Sequence, residues 1–273
     1  MILSLTGRDR VKFLHNLCTN DIYRLATGRD GQSFGKRPKD DFTVTPSGRS
    51  CLAAALTRQG KMVAVFRVWM LADELLLDTD EPALEAHLRA AIIMDKVEVA
   101  FSTRWRSAYV APADHVPPMT KRGVTVESVP PLADGFAVLH DDDLIEPMAP
   151  DVYATSCVLG GWPRWGIEMD SSMLPTEAGL DPIAISYTKG CYLGQEVIQR
   201  VKTYSQPPRE LKQLHFDEGA PLPSSIQAGG ETVGDLKSSY GRFALALMKK
   251  SHAKDGTRVD AAVVRDLPWH QWI

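Results

Sequence analysis

Lys189-Gly190-Cys191-Tyr192-Leu193-Gly194-Gln195-Glu196 is the most informative stretch of this chain. Leu193, Val197 and Val201 recur every four residues with Ile198 beside them, which predicts a short helix with an apolar stripe. On that spacing Cys191 and Tyr192 fall at the helix N-terminus, just after Gly190, while Gln195, Glu196 and Arg200 lie off the stripe. Free N–H groups and the positive end of a helix dipole favour a thiolate at such a place, and Lys189 adds a cation two residues back. A thiol so placed could be a nucleophile or a transient metal ligand. The same position also suits a small buried hydrophobe, which free cysteines commonly are. The residues alone leave both readings open.

Outward from this stretch, the first half of the chain predicts an α+β unit. Ile2–Leu5 begins as a strand, and Val11, Leu14, Leu17 and Cys18 follow at helical spacing. Residues 28–41 hold no apolar pattern and predict an exposed loop, with a strand starting at Phe42–Thr45. Cys51–Leu56, Met62–Leu71 and Leu75–Asp78 predict an antiparallel meander. Pro82 opens a helix carrying Leu84, Leu88, Ala91 and Ile92 on one face, and Asp95–Phe101 returns as a strand. Short strands are expected at Val124–Val126, Phe136–Leu139 and Asp151–Gly161. After a linker at Gln206–Arg209, alternating stretches with Gly and Pro turns predict a small β-barrel or sandwich. An aromatic tail of Trp269, His270 and Trp272 closes the chain.

Composition narrows the class of protein. A chain of 273 residues buries a sizeable core without a disulfide or metal staple. Its net charge of −3 argues against a broad nucleic-acid or anionic-membrane surface. The four cysteines, Cys18, Cys51, Cys157 and Cys191, are spread with no C-x-x-C and no cysteine–histidine cluster, so no pre-built metal or cluster site is expected. No apolar run reaches the roughly 20 residues of a membrane span, and the opening residues lack a signal-peptide pattern. The expected compartment is a reducing one, by default the cytoplasm.

Lys-Gly-Cys-Tyr-x-Gly-Gln-Glu, uninterrupted from Lys189 to Glu196, resembles the signature of the YgfZ-type family, relatives of the glycine-cleavage T-protein. Pro175-Thr176-Glu177 with Asp181, and Ile183–Ser186 as a lead-in strand, resemble that family's upstream landmarks. Gly7-Arg8-Asp9 through Thr19-Asn20-Asp21 resembles its opening, and Gln59-Gly60-Lys61-Met62 its second landmark.

The resemblance implies a T-protein-like fold: two interlocked α+β domains around a central channel plus a C-terminal β-barrel. The corresponding division is residues 1–205, folate-binding, and 206–273, the barrel. It further implies binding of tetrahydrofolate or a one-carbon derivative, and a role in assembly or repair of iron–sulfur proteins, including enzymes of tRNA modification. Partners would be iron–sulfur proteins or their assembly machinery, with no direct nucleic acid and no membrane. Cys191 is the family's motif cysteine, flanked by Lys189 and Tyr192, and could hold a cluster transiently. Gln195, Glu196, Arg200, Trp69 and Tyr187 are the folate-binding candidates, the aromatics as walls and Arg200, with Arg67, as a carboxylate partner. A non-catalytic folate-binding or docking protein is one alternative, and an aminomethyltransferase-like enzyme another. Against the latter, aminomethyltransferases carry a pair of aspartates after their Gly-Gly-Ile landmark, where this chain reads Gly60-Lys61-Met62-Val63-Ala64-Val65.

Overall fold

β3 (Met62–Met70) shows how the first half of the chain is built. Side chains alternate across a strand, so Ala64, Phe66 and Val68 face one core while Trp69 faces another. The computed structural model describes residues 1–27, 50–110, 123–127, 136–141 and 147–268. The expected loop at 28–41, the strand at 42–45 and the aromatic tail lie outside the described residues. Within them the chain divides into two compact units, each gathered from separate stretches. The first takes residues 1–129, 134–148 and 183–196, and the second takes 130–133, 149–182 and 197–273.

In the first unit, β1 (Ile2–Thr6), β2 (Ser50–Leu56), β3, β4 (Leu75–Thr79) and β5 (Glu98–Phe101) form one antiparallel sheet in the order β2-β3-β4-β1-β5. The helices α1 (Arg10–Leu17), α2 (Tyr23–Thr27) and α3 (Ala83–Ala91) accompany it. Leu3, Leu5, Phe66, Val68 and Leu77 pack with Phe13 and Leu14 of α1 and Leu84 and Leu88 of α3. A fully buried Leu or Phe contributes about 1.5–3 kcal/mol, so this face dominates the unit's stability. The opposite face presents Ile2, Trp69 and Leu76 to Trp105, Ala137 and Leu139. The last two belong to a three-stranded sheet of β6 (Arg106–Val110), β7 (Gly123–Glu127) and β8 (Phe136–His140), ordered β6-β8-β7.

The second unit opens with α4 (Pro150–Gly160), where a strand was expected. Pro150 sits in the first turn, where its missing N–H is harmless, and Gly161 ends the helix at φ 74. These end signals outweigh the β-branched and aromatic residues between them. The lead-in strand expected at Ile183–Ser186 is also absent: α5 (Asp181–Ala184) is one helical turn, opened by Asp181-Pro182.

The expected barrel is present as a six-stranded antiparallel sheet. Its strands are β9 (Arg209–Phe216), β10 (Ser225–Ala228), β11 (Glu231–Tyr240), β12 (Phe243–Lys249), β13 (Arg258–Val259) and β14 (Ala262–Arg265). The order is β10-β11-β12-β9-β14-β13, and the end strands β10 and β13 approach each other, so the sheet nearly closes. Leu214, Phe216, Val233, Ala246 and Val264 fill its interior. Among the described residues no helix is long and apolar enough to cross a membrane.

Candidate functional site

The motif begins with a buried charge. Lys189 is 8% exposed, and an ammonium removed from water needs acceptors for all three N–H groups. It finds them in the backbone carbonyls of His15, of Cys18 at 2.7 Å and of Asn20 at 2.9 Å. The end of α1 leaves carbonyls without helical partners, and a cation there also meets the negative end of the helix dipole. The Tyr192 ring lies 5.0 Å from the ammonium, adding a cation–π contact. Lys189 thus pins the motif to the first helix.

The residues around those carbonyls hold the neighbouring backbone as well. Thr19 Oγ1 donates to Ala184 O at 2.5 Å and accepts from Ala54 N at 2.9 Å. Asn20 Nδ2 donates to Leu52 O at 2.8 Å and to Ile183 O at 3.0 Å. Ser186 N donates to Thr19 O at 2.9 Å. Cys18-Thr19-Asn20 therefore clips β2 to the segment that leads into the motif. Thr19-Asn20-Asp21 carried a resemblance in the sequence, but this positioning role went unread.

Cys191 is exposed, whereas Cys18 and Cys157 are buried and Cys51 is partly so. Burial pushes the Cys18 thiol up to about 11 and the Cys157 thiol up to about 12, and raises that of Cys51 as well. Those three stay protonated at neutral pH. One sequence expectation requires correction. Helix α6 (Gln195–Tyr204) begins four residues after Cys191, so its free N–H groups are not at the thiol. Gly194 is the reason: its φ of +83 turns the chain out of the helical path before Gln195. The ammonium of Lys189 is likewise occupied by the three carbonyls.

The structure brings Lys189, Tyr192 and Gln195 together, with Tyr192 N donating to Gln195 Oε1 at 3.3 Å. Tyr187 is half-buried, and Glu196 is exposed. Arg200 is exposed on α6, in the second unit. Trp69 is wholly buried, between the two sheets of the first unit. Two carboxylates were not chosen as candidates from the sequence, although Glu177 stands in the Pro-Thr-Glu landmark. Glu177, 1% exposed, accepts from Leu174 N at 2.8 Å and from Arg209 Nε at 3.1 Å. Glu168, also 1% exposed, accepts from Arg164 Nη2 at 2.6 Å and from Ser238 Oγ at 2.5 Å. Among the described residues no group of three or more His, Cys, Asp and Glu is arranged to hold a metal ion.

His15 links this region to pH. Burial, then the charge of Lys189, lower its pKa from the ordinary 6.5, against a smaller opposing effect of Asp21. His87 and His215 are lowered too, chiefly by burial. Folding therefore holds these rings neutral. Below 6.5 the unfolded chain takes up protons first, so their contribution is present above that pH and is lost as pH falls through the folded values. The urea midpoint should fall between pH 7.5 and 5.5, and His15→Gln should make the fall smaller. An equal fall in that variant would show that His15 is uninvolved.

The chain matches no family model. It is 23% identical over 317 residues to a putative chloroplastic transferase of Arabidopsis thaliana, covering 98% of this chain and 68% of that protein. It is 32% identical over 98 residues to the mitochondrial iron–sulfur cluster assembly factor IBA57 of Homo sapiens, covering 33% of this chain and 27% of that protein. Among solved structures, the glycine cleavage system aminomethyltransferase T of Bartonella henselae superposes with a TM-score of 0.71 at 14% identity, covering 98% of this chain and 83% of that one. That likeness establishes the T-protein-like fold expected from the sequence.

Proposed function

We propose that this chain, a relative of iron–sulfur cluster assembly factors with the fold of the glycine-cleavage T-protein, is a folate-binding accessory protein for iron–sulfur assembly or repair. The observation that carries the proposal is the exposure of Cys191 on a segment pinned from both sides. Lys189 and Tyr192 hold the residues around it, and Gly194 turns the chain away after it. A thiol displayed by a fixed backbone suits a group that takes hold of a cluster or a client protein for a short time. The cluster is then cargo, consistent with Cys191 being the exposed one of the four cysteines.

Tetrahydrofolate supplies a one-carbon carrier when bound. The first unit retains buried hydrogen-bonding groups that such a heteroaromatic ligand would fit. The Trp69 indole N–H and the Ser186 hydroxyl are buried without partners, although buried polar groups usually have them. Ser186 precedes Tyr187, half-buried, so these residues and Gln195 are the ones expected to hold the ligand. The name of the Arabidopsis relative suggests a transferase instead. That reading is not adopted, because β3 runs from Met62 to Met70 without a carboxylate.

The test replaces Cys191 by Ser in the host. Activities of iron–sulfur enzymes under oxidative stress should drop to the level of a strain lacking the protein, while Cys157→Ser retains most of them. Because Cys191 is exposed, the purified variant should differ from wild type by less than about 0.5 kcal/mol in stability. Full activity in the Cys191→Ser strain would sink the cysteine's role. Titration with tetrahydrofolate tests the ligand separately, and no saturation at millimolar concentration would rule it out.

A further inference from the structure

β5 ends the sheet of the first unit and pairs there with β1 on one side only. In an antiparallel pair the N–H and C=O of every second residue point to the same side. Lys96 and Ser102 turn theirs toward the β1 side. Lys96 N donates to Asp9 Oδ2 at 2.8 Å, Lys96 O accepts from Asp9 N at 3.4 Å, and Ser102 N donates to Ile2 O at 2.9 Å. By that alternation Glu98 and Ala100 do the same, whereas Val97, Val99 and Phe101 carry their groups to the outer edge. Among the described residues no strand pairs with that edge. Apolar side chains accompany it. Phe101 is 52% exposed, and Ile93 and Met94, in the bend before the strand, are 86% and 89% exposed.

A free edge is a template for another strand. A lysine on a short edge strand ordinarily repels such pairing. Here, however, Glu98 stands two residues from Lys96, on the same side of the strand and equally exposed. We infer that β5 pairs antiparallel with β5 of a second copy of this chain, about a two-fold axis at Val97. That axis sets Lys96 of each copy opposite Glu98 of the other, so opposite charges meet twice on one face. Asp95 then meets Val99, and Phe101 of one copy reaches the Ile93–Met94 bend of the other. The other registers that the edge hydrogen bonds allow are poorer. An axis at Glu98 puts that carboxylate opposite itself, and one at Val99 sets both charges opposite uncharged residues, Ser102 and Ala100. The complementarity is internal to the chain, which points to a copy rather than a foreign strand. It is independent of the folate and cysteine readings.

Sedimentation equilibrium of the full chain tests this pairing. Wild type should show a monomer–dimer equilibrium between micromolar and millimolar concentration. Amide exchange at Val97, Val99 and Phe101 should slow as the dimer fills. Lys96→Glu and Glu98→Lys each turn both attractive contacts into repulsive ones, and each should weaken the dimer by about tenfold. The double variant Lys96→Glu/Glu98→Lys restores opposite charges and should return the dissociation constant to within about threefold of wild type. Both side chains are exposed, so the variants should keep the wild-type fold, which circular dichroism and the thermal midpoint of each monomer verify. A chain that stays monomeric up to millimolar concentration would overturn the pairing. So would a dimer that the single reversals leave unchanged, a double variant no tighter than the singles, or edge amides that exchange at one rate at every concentration.

Discussion

Replacing Lys189 by Met should destabilise the protein by about 3–5 kcal/mol, because it leaves backbone acceptors without a donor at about 1–3 kcal/mol each. The carbonyls of His15, Cys18 and Asn20 would lose their shared donor while staying partly or wholly out of water. An unsatisfied buried acceptor costs about 1–3 kcal/mol, so three deprived at once account for the size of the effect even if the segment relaxes. Methionine fills a similar volume, which leaves little room for a cavity contribution. Arginine should not rescue the loss, because its planar fork cannot direct three donors into a cage shaped for an ammonium. The check is the urea midpoint of Lys189→Met against wild type, together with hydrogen exchange of the Ser186 amide. That amide donates to Thr19 O and should lose protection. A change below about 1 kcal/mol, the net worth of one ordinary hydrogen bond, would show that the carbonyl cage contributes little.

The two glycines of the motif should respond in opposite ways. A Cβ on Gly194 would lie 2.5 Å from Thr57 O and 3.0 Å from Leu56 Cβ, and the residue holds φ +83. Alanine there meets left-handed backbone strain of about 1–2 kcal/mol and a clash with a backbone atom that cannot swing away. Gly194→Ala should therefore cost at least about 2 kcal/mol, since a substitution incompatible with the native backbone loses more than chain stiffening gains. Around Gly190 nothing lies within 4 Å of an added Cβ, and its φ is not in the left-handed range. Gly190→Ala should stay within about 0.5 kcal/mol of wild type, as surface changes usually do. Denaturant unfolding of the pair checks both. Equal losses would mean that the turn at Gly194 is not what shapes the motif.

Much of the architecture was legible in the sequence because it rests on local periodicity. The run Met62–Met70 alternates between two cores, and the C-terminal stretches from Arg209 to Arg265 alternate around one. Errors arose where end signals competed with residue preference. Val152, Tyr153 and Val158 suggest a strand, but Pro150 and Gly161 bound a helix. Apolar spacing alone also could not locate the start of α6. Leu193 matches the stripe, yet the left-handed turn at Gly194 excludes it from the helix.

The candidate site was legible only as residue types. Cys191 stood out by its motif, but its exposure depends on what packs against its neighbours. The partners of Lys189 are backbone carbonyls, and a carbonyl carries no residue identity that a sequence pattern could reveal. Arg67 was visible as the lone charge in β3. The register that sets it opposite Asp78 is a matter of strand pairing, which no local pattern reveals.

The Lys189 contacts also fix an order of events in biosynthesis. The three carbonyls precede the ammonium in the chain by 174, 171 and 169 residues. A ribosome adds about 5–20 residues per second, so the end of α1 waits roughly ten seconds or longer for its donor to be made. Until then the first sheet can form while its clip has nothing to close on. The motif segment is thus ordered late, after the framework that presents it exists.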